Sequence, residues 1–423
     1  MSMTAIASQD ALAGDPGAAT VRELARQVAE CAADRRWDEL RDLWRDHNGL
    51  VHRRPMVLCR PVGAWRELIP GEALACRDPF LRDVEYKLRM KLAKVAIGDD
   101  EPLEPWVDVD AAWRGPAGYY DIWGIPITTR HSGVEGGAFA FEPAIREEAD
   151  FDRLSVPDHR IDERATAERL ERANEALGGH LPARLRLPRL AFVGFGYWAS
   201  YLLGLDQLLY YMIERPQWVH RLMAFLRDAH IAYLTAAERD GLLARNDHAA
   251  VNGVPRYCRD LPAPAFDGTH VRLRDRWGEV DSQEFGVVSP AMTEEFLYQY
   301  QNPVMALFGA CSFGCCESHH NKWHLLKQMP NLRMVSVSPW SSLEEAVAEM
   351  GDRYALNWRV SPSRILAALD PADMRREVEE GLRLAGHCCI NVVYQDVETV
   401  NGHPEHLKTW TTIAREVADR YRS

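Results

Sequence analysis

A chain of 423 residues, 47% of them hydrophobic, holds enough apolar side chain for one large α/β core or two ordinary domains. Its 50 Lys and Arg against 62 Asp and Glu leave a formal charge of −12, which excludes a nucleic-acid surface, where clustered cations must displace counterions. No apolar run approaches the ~20 residues that span a bilayer. Met1–Thr20, rich in Ala, Gly and Ser, lacks the basic-then-apolar order of a secretory signal, so a disordered lead-in and a cytoplasmic location are expected, with a single domain over 21–423.

Helix and strand candidates alternate along the rest. Val21–Asp46 is predicted helical, because Leu24, Val28, Cys31, Leu40 and Leu43 recur at steps of three and four. Pro55–Pro61 is a short apolar run between prolines and reads as a strand. A charged helix is expected over Asp83–Val95. Ile97–Asp110 and Gly115–Ile127, the latter crowded with Tyr119, Tyr120 and Trp123, read as loops over a pocket. A helix over Ala165–Leu177 leads to a strand candidate, Arg186–Phe195, and a tight turn at Gly194-Phe195-Gly196. Two helices, Leu205–Arg215 and Gln217–Arg239, break at Pro216. Further on, helices at Ala291–Phe308, Lys322–Met329, Ser342–Met350, Pro371–Leu384 and Pro404–Arg422 are separated by β-like runs at Ala310–Gly314, Met334–Val337, Tyr354–Trp358 and Cys388–Tyr394. Asp370 before Pro371 is an N-cap followed by proline at the first helical position.

Strands alternating with helices of about ten residues imply parallel strands and right-handed crossovers. An α/β fold of the (β/α)8 TIM-barrel kind, with an N-terminal helical extension, is the expected architecture, and a doubly wound open sheet its rival. The first strand–helix turn has no Gly-rich phosphate loop, which counts against a dinucleotide fold.

One family pattern runs through the C-terminal third. Phe313-Gly314-Cys315-Cys316-Glu317 is followed by Pro330-Asn331-Leu332-Arg333, Val335 through Trp340, Asn357-Trp358-Arg359, Asp396, and Pro404 leading to Trp410. Upstream, Leu261 through Pro264, His270 through Leu273, Trp277-Gly278, Gln283-Glu284 and Ser289-Pro290 fit the same pattern. The chain resembles the uroporphyrinogen decarboxylase-like superfamily, and within it the corrinoid-linked methyltransferase branch. The resemblance implies a barrel with its site at the C-terminal ends of the strands. It also implies methyl transfer between a small-molecule substrate and a corrinoid or tetrahydrofolate carrier, a thiolate- and imidazole-bound zinc, a corrinoid protein as partner, and a homodimer. The decarboxylases of the superfamily, metal-free lyases acting on an aromatic or pyrrolic acid, are the alternative. The chain departs from the branch at Ser318-His319-His320, Arg359-Val360-Ser361-Pro362 and Gln395-Asp396-Val397-Glu398.

The residues themselves offer matching chemistry. Cys315, Cys316 and His319, with Cys388 from another strand, are the donors zinc prefers, against a reading in which the thiols are small buried hydrophobes. Strand alternation predicts that only one of Cys315 and Cys316, namely Cys316, faces the barrel axis. Glu284 is a candidate zinc ligand or general base. Arg359 and Asp396, at the ends of β-like runs, are candidates to clamp and orient a substrate, or else a structural pair. Trp358, Trp340, Gln283 and Asp100 are expected to line the substrate site, and Asp99 beside Asp100 to reach over the mouth.

Overall fold

The structure, a computed structural model, describes residues 17–423 apart from 115–119, 135–138, 188–189, 191, 265 and 369. The described residues open with helices Ala18–Ala32 and Arg36–Asn48, and the first of these takes in residues 18–20 of the expected disordered lead-in. Val21, Leu24, Ala25 and Val28 give the first helix an apolar face. It buries that face on helices Pro79–Ile97 and Glu163–Leu177, and such packing, more than propensity, keeps a short helix folded.

Helix Pro79–Ile97 has clear ends. The Asp78 carboxylate accepts from the Phe80 and Leu81 N–H groups, Pro79 takes the first position, and Gly98 in the left-handed region (φ 77°) stops it. That stop delivers Asp99 and Asp100 to the edge of the first strand.

The strands are β1 (Met56–Pro61), β2 (Val107–Asp110), β3 (Thr129–His131), β4 (Phe139–Phe141), β5 (Ala183–Arg186) and β6 (Phe192–Val193), then β7 (Trp277–Val280), β8 (Ala310–Phe313), β9 (Leu332–Val337), β10 (Ala355–Val360) and β11 (Ile390–Val397). Seven of them form one parallel sheet in the order β1-β11-β10-β9-β8-β7-β6. Successive strands are neighbours and the first lies beside the last. That is the winding of a TIM-barrel-like fold, whereas a doubly wound sheet reverses direction midway.

The ladder holds seven strands, not the expected eight. Among the described residues none pairs into the space between β1 and β6. On the free edge of β1 the Val57 N–H donates to Asp100 and the Cys59 N–H to Asp99, both at 2.8 Å, so carboxylates satisfy donors that a strand would otherwise take. Pro102 and Pro105 follow immediately, and neither can donate to a ladder. Residues 107–110, read as loop, instead pair as β2 with β5 in a separate two-stranded sheet. The single strand predicted over Arg186–Phe195 is the end of β5 plus β6, and helix Phe195–Leu203 starts where a turn was predicted. No helix among the described residues is long and apolar enough to cross a membrane.

Inside the sheet, side chains stack in layers. Trp277, Ala310, Met334, Ala355 and Cys389 plug the foot. Above them Asn391, Asn357 and Ser336, paired across β11, β10 and β9, form a polar ladder: Asn391 donates to Asn357 at 3.3 Å and Asn357 to Ser336 at 3.2 Å. The candidate site lies above that ladder.

Candidate active site

Polar groups converge where β7, β8, β10 and β11 end. After β8 the chain turns at Gly314 (φ 101°), a conformation that glycine adopts without strain. Beyond the turn the two-residue alternation no longer holds. Both thiols therefore face the same space, with Cys315 and Cys316 Sγ 3.6 Å apart, instead of one turning away as strand geometry predicted. Glu317 pins this turn to the end of β7. Its carboxylate accepts from the Cys315 N–H at 2.7 Å and from the Ser282 N–H at 2.9 Å.

Arg359 enters from β10, 6% exposed. Its guanidinium donates to Cys316 Sγ at 3.5 Å, to Cys315 Sγ at 3.8 Å and to Ser336 Oγ at 3.5 Å. Asp396 enters from β11. The register between β1 and β11 runs Arg60↔Gln395 and then Pro61↔Val397, so Asp396 is the extra residue of a bulge, and its φ of 59° is left-handed. Bulges re-aim side chains, and a non-glycine residue held in this region costs about 1 kcal/mol or more, strain that clusters at working sites. The re-aimed carboxylate accepts from the Cys316 S–H at 3.8 Å and from Gln395 at 3.3 Å. Arg60, at the end of β1, holds Gln395 at 2.7 Å.

The charges are unevenly paired. The contact between the two sulfurs, then the guanidinium of Arg359, brings the Cys315 thiol down to about 6, while the same contact pushes Cys316 up. The pair thus holds one thiolate and one thiol near neutrality. Burial, then the neighbouring Glu317, Glu284 and Cys315, push Asp281 far above the usual carboxylate range. Burial raises Glu284 to about 7. Oδ1 of Asp281 and Oε2 of Glu284 have no hydrogen-bond partner. Asp281 therefore holds its proton beside the sulfurs, and Glu284 exchanges one near neutrality.

Of the predicted metal ligands, only the two adjacent cysteines come together. Two thiolates on one zinc, with Zn–S near 2.3 Å, stand about 3.8 Å apart, and these stand at 3.6 Å. Asp396 Oδ2 stands 3.8 Å from Cys316 Sγ. The thiol pair and Asp396 therefore fit a zinc in donor chemistry, provided the carboxylate moves in. The one trio of donors already within 4.8 Å of one another, among the described residues, is His403, Glu405 and His406, none of which was predicted as a ligand. Cys388 does not fit. It precedes β11, at the opposite end from Asp396, roughly 26 Å away at ~3.3 Å per residue, and its neighbours are core side chains. His319 is fully buried, with its ring against Phe313 and Trp323 and neither nitrogen hydrogen-bonded, so burial pushes its pKa down. His320 is exposed beside Glu345.

Of the expected substrate residues, Trp358 packs on Gly381 of helix Pro371–Ala385, since alternation turns it outward when Arg359 turns in. Trp340 is 77% exposed and walls nothing. Gln283 is exposed on a short 3-10 turn beside half-buried Glu284. Asp100 is fully buried and held by Arg54 through two hydrogen bonds at 2.7 and 2.8 Å, a structural pair with no free face for substrate. Asp99 is likewise engaged, by Lys94 and the Cys59 N–H. Trp123, expected in a loop over the pocket, is core, edge-on to Trp198, and Tyr119 lies outside the described residues.

Sequence reasoning missed Asp281, Arg60 and Ser336. Asp281 ends a strand, Trp-Gly-Glu-Val, that the polar Glu279 disguises. Arg60 ends a strand that was read correctly, and a charge at that position was the available signal.

Fold and site together describe an α/β protein of TIM-barrel-like architecture with its titratable groups at the C-terminal ends of the parallel strands. No protein-family model matches the chain, and no curated protein matches it. Among solved structures it is similar to a methyltransferase from Methanosarcina mazei, with a TM-score of 0.50 and 14% identity over 88% of this chain and 97% of that one. At that identity the likeness establishes the fold alone.

Proposed function

We propose that the chain is a methyltransferase of the uroporphyrinogen decarboxylase-like kind, moving a methyl group between a small-molecule substrate and a corrinoid or folate carrier, with zinc held by Cys315, Cys316 and Asp396. The observation that carries this reading is the pair of sulfurs 3.6 Å apart at the mouth, in contact with Arg359 from a second strand and Asp396 from a third. A likeness in fold to a methyltransferase agrees with it.

Zinc in such a site supplies Lewis acidity, lowering the pKa of a bound thiol or hydroxyl. The protein's own groups do the rest. Arg359 stabilises negative charge on the sulfurs, and Glu317 fixes the turn that carries them. Asp281, kept protonated by burial, and Glu284, raised by burial to about 7, would return a proton to a leaving group.

Purified protein is expected to demethylate methylcobalamin or methyltetrahydrofolate in the presence of one member of a panel of small thiols and alcohols, and to lose that activity on chelation. Absence of turnover with every pairing from zinc-loaded protein, or turnover that chelation leaves unchanged, overturns the proposal. The two carboxyls raised by burial specifically favour one alternative, a metal-free decarboxylase in which they protonate the carbanion left by departing carbon dioxide. Carbon dioxide release unaffected by chelators and by Cys316→Ser would favour it.

A further inference from the structure

The chain contains two pairs of adjacent cysteines, and they are built differently. Cys388 lies in the main core and Cys389 in the foot plug, so their side chains leave the backbone on opposite sides and both are buried. Cys315 and Cys316 follow the Gly314 turn, share one space and are both half-buried at the mouth. Six of the nine cysteines are buried; only Cys31 and this pair can be reached.

From this contrast we infer that Cys315 and Cys316 form a reversible disulfide between adjacent residues when the protein meets a hydroperoxide, switching the mouth between an open dithiol and a closed, ligand-free state. As regulation, the inference rests on the thiol pair being the working site. Bond formation itself rests only on the geometry.

The chemistry balances. The sulfur of Cys315 attacks one oxygen of hydrogen peroxide and the O–O bond breaks, leaving a sulfenic acid on Cys315 and hydroxide. Cys316 gives its proton to Asp396, the carboxylate that accepts from it at 3.8 Å, and its sulfur attacks the Cys315 sulfur. The S–O bond breaks and the second hydroxide leaves. With the two thiol protons, both hydroxides become water, so two thiols are oxidised and one peroxide is reduced. Arg359, donating to both sulfurs, supports the negative charge that passes between them. Adjacent Cα atoms stand only about 3.8 Å apart, below the usual lower limit of about 4.4 Å for a bridged pair, so the ring is strained and easily reduced again.

The test is mass spectrometry of the full-length purified chain, with and without prior chelation, before and after hydrogen peroxide. The peptide carrying Cys315 and Cys316 is expected to lose the mass of two hydrogens and to resist iodoacetamide, and dithiothreitol should reverse both. The Cys388–Cys389 peptide should stay reduced. In Cys316→Ser the intermediate has no partner, so Cys315 should become trappable by dimedone. Direct passage to sulfinic acid, or a pair that stays fully alkylatable in chelated protein, overturns the inference. Two outcomes separate this inference from the methyltransferase reading. A disulfide formed in a protein without methyl-transfer activity sinks that reading alone, while peroxide-insensitive methyl transfer without a disulfide sinks this inference alone.

Discussion

The flank of β1 and the mouth of the sheet both bury charge, and they treat it in opposite ways. On the flank the two aspartates are fully matched, and Glu101, which burial raises to about 7, keeps one oxygen without a hydrogen bond but beside a cation. Arg54 holds Asp100 through two hydrogen bonds, Lys94 holds Asp99 and reaches Glu101 at 3.3 Å, and strand N–H groups take further lone pairs of the aspartates. At the mouth Asp281 and Glu284 keep unpaired oxygens, and Arg359 meets sulfur where a carboxylate would pair it. Matched charges hold a structure in one state, while unmatched ones leave protons and lone pairs free for a ligand. The difference assigns stability to the flank and chemistry to the mouth, and substitutions at the two places should separate those roles.

The largest effect on folding belongs to the flank. Asp100→Ala strands a guanidinium with only 4% of its side chain exposed, and breaking such a buried pair costs about 3–5 kcal/mol, to be read from denaturant unfolding. Losing less than about 1 kcal/mol would mean that the pair is not structural. Next comes Arg359→Met. The guanidinium favours the thiolate, so in chelated protein its removal should move the pH midpoint of Cys315 alkylation upward from about 6, by a unit or more if the charge contributes about 1.4 kcal/mol, with little change in stability.

A smaller effect is expected at Glu284. Its folded pKa, about 7, lies above the ordinary 4.5, so the native state holds its proton longer than the unfolded chain and stability falls as pH rises through that window. Glu284→Gln removes this penalty. The variant should match the parent at pH 4 and exceed it by about 1–2 kcal/mol at pH 8, allowing for partial solvent access. Equal gains at both pH values would show that burial does not hold the proton there. Smallest of all, Trp340→Ala should shift stability by less than about 0.5 kcal/mol, since the ring is exposed.

Much of this contrast was legible in the sequence. The strands Pro55–Pro61, Met334–Val337 and Tyr354–Trp358 are regular, and their apolar patterns sit within two residues of β1, β9 and β10. Arg359 and Asp396 were placed correctly at strand ends because barrel architecture fixes where functional groups emerge. What failed was any inference that pushed strand periodicity past a strand's end. Cys315 and Cys316 lie beyond Gly314, where alternation gives no guide, so their convergence was hidden. Cys388 was expected beside them although it opens a β-like run, and in a parallel sheet a strand's start lies at the end opposite the site. Asp100 looked like a loop carboxylate because its partner, Arg54, is 46 residues away in sequence. The missing strand beside β1 was equally invisible, since two carboxylates standing in for a ladder leave no periodic trace.

Zinc content of freshly purified parent and Cys316→Ser protein probes the central claim, a thiol pair poised at the mouth for metal and methyl chemistry, most directly. The parent should carry close to one zinc per chain and the variant far less, with His403→Ala retaining the parental amount. Parent protein without zinc, or equal zinc in the parent and Cys316→Ser, would contradict the account.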